Sequence, residues 1–160
     1  MSFVVYRIDD RLIHGQVVVG WGQPMEVRFI VLVDDAVATS DWEQELYRMG
    51  VPPDMQVYFV SVADAIELVP TLQKDERPGI LLTADIATMR KLVDAGVIEA
   101  VNVGGIHHRA GRDQKVRYIF LNAAEAAELK EMGARVRVFG QDVPGAREIP
   151  LNEILSGVDE

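Results

Sequence analysis

The chain of 160 residues contains no cysteine. That excludes a disulfide scaffold, a thiolate nucleophile and any Cys-ligated zinc or iron–sulfur centre, although it does not fix the compartment. Positive charge is scarce as well: 16 Lys and Arg stand against 25 Asp and Glu, for a net charge of −9 and a pI near 4.8. Long-range attraction to nucleic acid or anionic lipid is therefore not expected, and a basic partner surface suits the chain better. No window approaches the roughly 18 uninterrupted apolar residues of a spanning helix. The opening MSFVVYRIDDR meets Arg7 and two Asp too early for a secretory or transit signal. A soluble cytoplasmic protein is the expectation. No GxxxxGK[ST] loop and no GxSxG elbow occur, so neither bound ATP nor a Ser–His–Asp hydrolase is indicated.

Hydrophobic residues make up 49% of the chain, enough for a packed core, and the length fits one domain over residues 1–160. Runs rich in Val, Ile and Phe at Phe3–Tyr6, Phe29–Val33, Val57–Val60, Gly79–Leu82, Ala100–Val103, Tyr118–Leu121 and Val136–Phe139 predict about seven strands. Most are continuous, the pattern of parallel strands covered on both faces. Val136–Phe139 alternates with Arg135 and Arg137, which places it near an edge. Helical spacing recurs in Ser61–Leu72, Asp85–Gly96 and Asn122–Gly133, with Ser61, Asp85 and Asn122 as caps and Gly96 and Gly133 at exits. Thr39–Gly50 gives another helix, with Trp42, Leu46 and Met49 on one side, and Leu151–Leu155 a short last one. Trp21 and Trp42 read as core or flank aromatics. Alternation at these lengths predicts an open α/β sheet, doubly wound and mainly parallel, with helices on both faces. Such sheets bind ligands beyond the carboxyl ends of their strands, where the winding reverses.

The loop after the first strand, Arg7-Ile8-Asp9-Asp10-Arg11-Leu12-Ile13-His14-Gly15-Gln16, gathers two Arg, two Asp and a His. An imidazole near a helix N-terminus stays neutral and nucleophilic and tolerates an attached dianion. Gly15 permits close backbone approach, Gln16 offers an amide, Arg11 can grip phosphoryl oxygens, and Asp9 or Asp10 can orient the ring or hold Arg11. A second loop, Asn102–Arg112, contains Gly104, Gly105, His107, His108, Arg109 and Arg112; Arg7 and Asp35 also border the carboxyl edge. Asp35 could meet Arg11, a sugar or only water. A zinc set of His14, His107 and an Asp is the alternative to phosphoryl chemistry.

RIDDRLIHGQV followed by Trp21, Val31-Leu-Val-Asp-Asp35 and Val101-Asn-Val-Gly-Gly105 resembles the IIB component of mannose/fructose/sorbose-type phosphotransferase systems (PTS) along essentially the whole chain. The resemblance implies a cytoplasmic protein-Nπ-phosphohistidine–sugar phosphotransferase needing no cofactor and no metal. His14 would receive a phosphoryl group from a IIA partner. The group would then go to a sugar carried by the membrane subunits IIC and IID, which could hold the chain peripherally at the inner membrane. Arg11 and nearby amides would stabilise the group. The resemblance also implies a final antiparallel edge strand, with which the alternating run at Val136–Phe139 is compatible. One departure is Val18-Val19-Gly20-Trp21, where members often carry Arg before the Trp. A regulatory phosphohistidine protein and a non-catalytic phosphate or nucleotide module are the alternatives. The sugar and the oligomeric state are not legible in the residues.

Overall fold

The computed structural model describes residues 2–157. Its main sheet has seven strands: β1 (Phe3–Asp9), β2 (Phe29–Val33), β3 (Gln56–Val60), β4 (Gly79–Thr83), β5 (Ala100–Gly105), β8 (Arg137–Gly140) and β9 (Ile149–Pro150). A separate antiparallel hairpin is formed by β6 (Asp113–Val116) and β7 (Ile119–Leu121). The helices are α1 (Asp41–Arg48), α2 (Val62–Leu72), α3 (Ile86–Asp94), α4 (Ala123–Gly133) and α5 (Leu151–Ser156). A π-helix covers Gln16–Gly22 and a 3₁₀ turn Val37–Thr39.

The sheet runs in the order β3-β2-β4-β1-β5-β8-β9 and is parallel except for β9, which pairs antiparallel with β8. The chain leaves β1 for β2 and β3 on one side, returns to β4, and crosses to β5 on the other. The winding therefore reverses at β1, between β4 and β5. The continuous apolar runs have the predicted cause: every residue of β2 and β4 is buried, because helices cover both faces. One face packs under α2, α3, α4 and α5, and the other under the π-helix and the Val37 turn.

Ser61, Asp85 and Asn122 cap their helices, accepting hydrogen bonds from the backbone N–H groups of Asp64, Thr88 and Glu125. Gly96 takes the left-handed exit at φ +78°.

Four details differ from the sequence expectations. The run at Tyr118–Leu121 lies outside the main sheet: β7 pairs with Asp113–Val116, whose polar composition hid it, and an isolated bridge joins its Ile119 to Ile106, the residue after β5. The antiparallel edge strand is the two-residue β9, whereas the alternating run forms β8, parallel to β5 and one place inside the edge. Gly133 stays inside α4, where its missing Cβ makes room for Leu151; a Cβ there would lie 2.4 Å from Leu151 Cδ2. The stripe of Trp42, Leu46 and Met49 faces solvent rather than the core.

Candidate functional site

β1 delivers Asp9 to the winding switch with its side chain fully buried. The chain then turns sharply: Leu12 N–H donates to Asp9 O (2.9 Å), and Arg11 N–H to Asp9 Oδ1 (3.1 Å). Leu12 takes a left-handed φ of +58°, costly for a residue with a Cβ, by roughly 1–2 kcal/mol. Burial of Leu12 and Ile13 against the π-helix offsets this and anchors the loop. His14 is thereby turned back towards Asp9, its side chain 17% exposed.

The ring is held at both nitrogens. His14 Nε2 lies 3.0 Å from Asp9 Oδ2, and Nδ1 accepts from Gln16 N–H at 3.3 Å. Burial pushes the Asp9 carboxyl up. The hydrogen bond with His14 and the Arg7 charge outweigh it, with help from Arg11 N–H, and bring the group down to about 2. A carboxylate only accepts, so in the neutral ring the proton sits on Nε2. The lone pair is then on Nδ1.

Behind Asp9 lies Arg7, a guanidinium with no exposed surface. Its Nε and Nη2 donate to Asp9 Oδ2 at 3.3 and 3.2 Å. Nη1 donates to Asn102 Oδ1 (2.8 Å) and Gln141 O (2.9 Å), and Nη2 also to Gly104 O (3.3 Å). The Trp21 ring centroid lies 5.3 Å from Arg7 Cζ. Burial lowers the Arg7 pKa and the Asp9 carboxylate opposes that shift. The glycines of β5 supply the space. A Cβ on Gly104 would stand 2.0 Å from Arg7 Cζ, and one on Gly105 3.0 Å from Asp9 Oδ1.

Arg11 reaches the same carboxylate from the solvent side, with Nε 3.3 Å from Asp9 Oδ1, and its Nη2 donates to Gln16 Oε1 at 2.9 Å. Arg7 and Arg11 thus bracket a single carboxylate. Two guanidiniums therefore share the carboxylate that holds the imidazole, in a chain whose net charge is −9.

The remaining sequence candidates lie elsewhere on this edge. Asp10 turns away from His14: its Oδ2 accepts from His107 N–H at 2.8 Å and its Oδ1 pairs with His107 Nδ1 at 2.5 Å. Asp10 therefore ties the first loop to the second. Asp35 Oδ1 accepts from Val62 N–H (2.9 Å) at the start of α2. Arg109 is exposed, and its guanidinium makes no hydrogen bond among the described residues, while Arg112 grips Glu125 with Nε and Nη2 at 2.9 and 2.6 Å. His14 and His107 pair with different carboxylates. Among the described residues no group of three His, Asp or Glu could hold a metal ion, so the zinc alternative has no assembled ligand set. Gly15 is exposed and helical, and its position is open.

Sequence reasoning missed Asn102 and Gln141 as supports of Arg7. Asn102 carried a usable signal, a lone amide within an otherwise apolar run before two glycines. Gln141 acts through its backbone carbonyl, which leaves no trace in residue type.

The family model for the PTS system sorbose subfamily IIB component matches residues 3–159. The chain belongs to this family. The N-acetylgalactosamine-specific phosphotransferase enzyme IIB component 1 of Escherichia coli is 32% identical over 149 residues, 90% of this chain and 92% of that protein. The mannose-specific EIIAB component of Escherichia coli is 30% identical over 156 residues, which are 96% of this chain and 48% of that longer protein. Among solved structures, the IIBSor domain of the sorbose permease from Klebsiella pneumoniae superposes with a TM-score of 0.85 at 26% identity, covering 99% of both chains. The Escherichia coli N-acetylgalactosamine-specific IIB component 1 gives 0.84 at 30% identity, covering 92% of this chain and 98% of that one. The relatives are IIB components of sugar phosphotransferase systems, and the family supports a transferase role. No helix among the described residues is long and apolar enough to cross a membrane.

Proposed function

We propose that this chain works as a single cytoplasmic IIB domain and phosphoryl carrier. His14 takes a phosphoryl group from the phosphohistidine of a IIA domain and passes it to a sugar arriving through the membrane subunits IIC and IID. The observation that carries the reading is the two-sided hold on His14, with Nε2 on Asp9 and Nδ1 facing Gln16 N–H. The mannose-specific relative, an EIIAB component, supports the pairing with IIA.

Gln16 N–H releases Nδ1 as the donor docks; the freed Nδ1 lone pair attacks phosphorus in line, and the P–N bond of the donor breaks with its electron pair returning to the donor ring. Nε2 keeps its proton throughout, so phosphorylated His14 is an imidazolium facing Asp9, and that carboxylate stabilises the cation. Gln16 N–H, once off Nδ1, and the Arg11 guanidinium, held on Asp9 and Gln16 Oε1, are the donors that balance the added charge. Transfer of this kind leaves positioning and electrostatics as the protein's main work. In the onward step a sugar hydroxyl oxygen attacks phosphorus, its proton goes to solvent, and the P–N bond electrons return to Nδ1.

The test is incubation with phosphorylated IIA and mapping of acid-labile, alkali-stable phosphate. Label is expected on His14 and none in His14→Ala; unchanged incorporation in that variant would defeat the assignment.

A further inference from the structure

The two holds on His14 meet at consecutive residues of one loop. Nε2 is held through Asp9 and Arg7, and Arg7 Nη1 donates to Gln141 O. Nδ1 is held by Gln16 N–H at the start of the π-helix. Trp21 lies in the same helix five residues on, the step over which a π-helix hydrogen-bonds, and its Nε1–H donates to Asp142 O at 2.8 Å. The next residue of the loop, Val143, lies against the helix at Gly20. A Cβ there would stand 3.4 Å from Val143 Cγ1 and 3.5 Å from Gln16 Cγ.

The loop after β8, residues 141–146, owes its shape to Gln141. This side chain is buried, and its Nε2 donates to Pro144 O at 3.1 Å and to Ala146 O at 2.9 Å, which closes the loop on itself. The Gln141 backbone N–H donates to Val103 O and ties the loop to β5. A carbonyl has no rotamer of its own: it points where its peptide plane is set, so the aim of residues 141 and 142 depends on these bonds. Below the loop opens a cleft of about 420 Å³, with Trp21, Asn102, Phe139, Gln141 and Pro144 in its walls. Packing is thin there, and hydrogen bonds hold the loop in place. An apolar ring would fill the Trp21 site equally well, but only an N–H can hold Asp142 O.

We propose that Gln141 and Trp21 are positioning residues for phosphoryl transfer, setting the tautomer and aim of His14 from both sides through the carbonyls of residues 141 and 142. The proposal rests on the phosphocarrier reading above. Gln141 acts through Arg7 and Asp9 on Nε2, and Trp21 through the π-helix and Gln16 on Nδ1.

The test uses two variants. Trp21→Phe keeps a ring beside Arg7 and removes the N–H; Gln141→Met keeps the length and removes both donors. The freed carbonyls make only part-buried bonds, so water can take the place of the lost donors and both variants are expected to fold. Nitrogen NMR of histidine-labelled protein is recorded at about pH 8.5, above the ordinary imidazole pKa of about 6.5, with the His14 signals identified by their loss in His14→Ala. Wild-type His14 should carry its proton on Nε2 alone. In both variants it should become a mixture of the two neutral tautomers, while His107, held by Asp10, stays as in wild type. Labelling by phospho-IIA should fall about tenfold or more at saturation, with the half-saturating concentration within about twofold of wild type. A single Nε2–H tautomer in the variants, an equal change at His107, a raised half-saturating concentration at unchanged maximal rate, or failure of both variants to fold would each overturn the proposal. Absence of label on wild-type His14 would instead overturn the phosphocarrier reading, since the tautomer is read without any donor.

Discussion

His14 Nε2 and Asp9 Oδ2 lie 3.0 Å apart, and the same oxygen accepts from the Arg7 guanidinium at 3.2 Å. Arg7 fixes Asp9, and Asp9 fixes both the ring and its tautomer. Asn in place of Asp9 retains one acceptor oxygen but has no negative charge to hold the proton on Nε2, and Arg7 loses its counter-ion. Asp9→Asn is therefore expected to lower the rate of His14 labelling from phospho-IIA by about 10²–10⁴-fold. Asp10→Asn, whose neighbour is His107, should stay within a few-fold of wild type. Rapid-quench labelling of both variants measures the contrast; equal losses would contradict the orienting role of Asp9.

Arg11 differs from Arg7 in exposure: its side chain is 42% exposed, while that of Arg7 is fully enclosed. Removing Arg11 leaves no buried charge unpaired, because Asp9 keeps Arg7 and His14 as partners. Arg11→Ala should fold with urea stability within about 1 kcal/mol of wild type, as for an exposed ion pair. Its labelling rate should nevertheless fall by about tenfold or more, from loss of the cation beside the incoming phosphoryl group. Lys at this position should recover part of the rate, since it restores charge without the fork. A destabilised Arg11→Ala protein would assign this residue to the scaffold.

Gly104 and Gly15 give opposite expectations. A Cβ on Gly104 would collide with Arg7 Cζ at 2.0 Å, and both are enclosed, so Gly104→Ala should cost several kcal/mol or abolish folding. Gly15 has helical φ and ψ of −54° and −42°, and an added Cβ meets no atom within 4 Å. Gly15→Ala should therefore hold or raise stability, by about 0.4–1 kcal/mol. Its Cβ would project into space that a docking donor needs, so the labelling rate should fall. Thermal melts and labelling of the two variants check both halves, and unchanged labelling in Gly15→Ala would remove Gly15 from the transfer surface.

The main sheet was readable because strands enclosed by helices need unbroken apolar runs, as in Phe29–Val33 and Gly79–Leu82. The caps at Ser61, Asp85 and Asn122 were readable because capping depends on residue type within one turn. Asp113–Val116 was hidden, since a short hairpin outside the core needs no apolar pattern. α1 misled for a related reason: helical spacing defines a stripe but not which side the core lies on. At the site, the sequence placed Asp9, Asp10, Arg11 and His14 in one loop. It could not say which carboxylate turns inward, because that depends on the left-handed turn at Leu12 and on where the loop after β5 presents His107. Arg7 read as a loop residue, yet it is the buried centre of the network, satisfied by carbonyls and an amide from strands far along the chain.

The depressed Asp9 pKa gives stability a definite dependence on acid. The carboxyl titrates near 2 in the folded protein against an ordinary value of 3.8, so between those values the unfolded chain binds more protons than the folded one. The stabilisation is fully present above about pH 5, and is lost progressively as pH falls from about 4 through about 2. Asp9→Asn removes this titration while leaving Arg7 buried without a counter-ion, so it should lower stability at pH 7 by about 3–5 kcal/mol. The same variant should lose less further stability than wild type between pH 4 and pH 2. Urea unfolding at pH 7, 4 and 3 distinguishes the outcomes. If both proteins weaken by equal amounts across the acid range, the Asp9 carboxylate is not what the fold loses when acid protonates it.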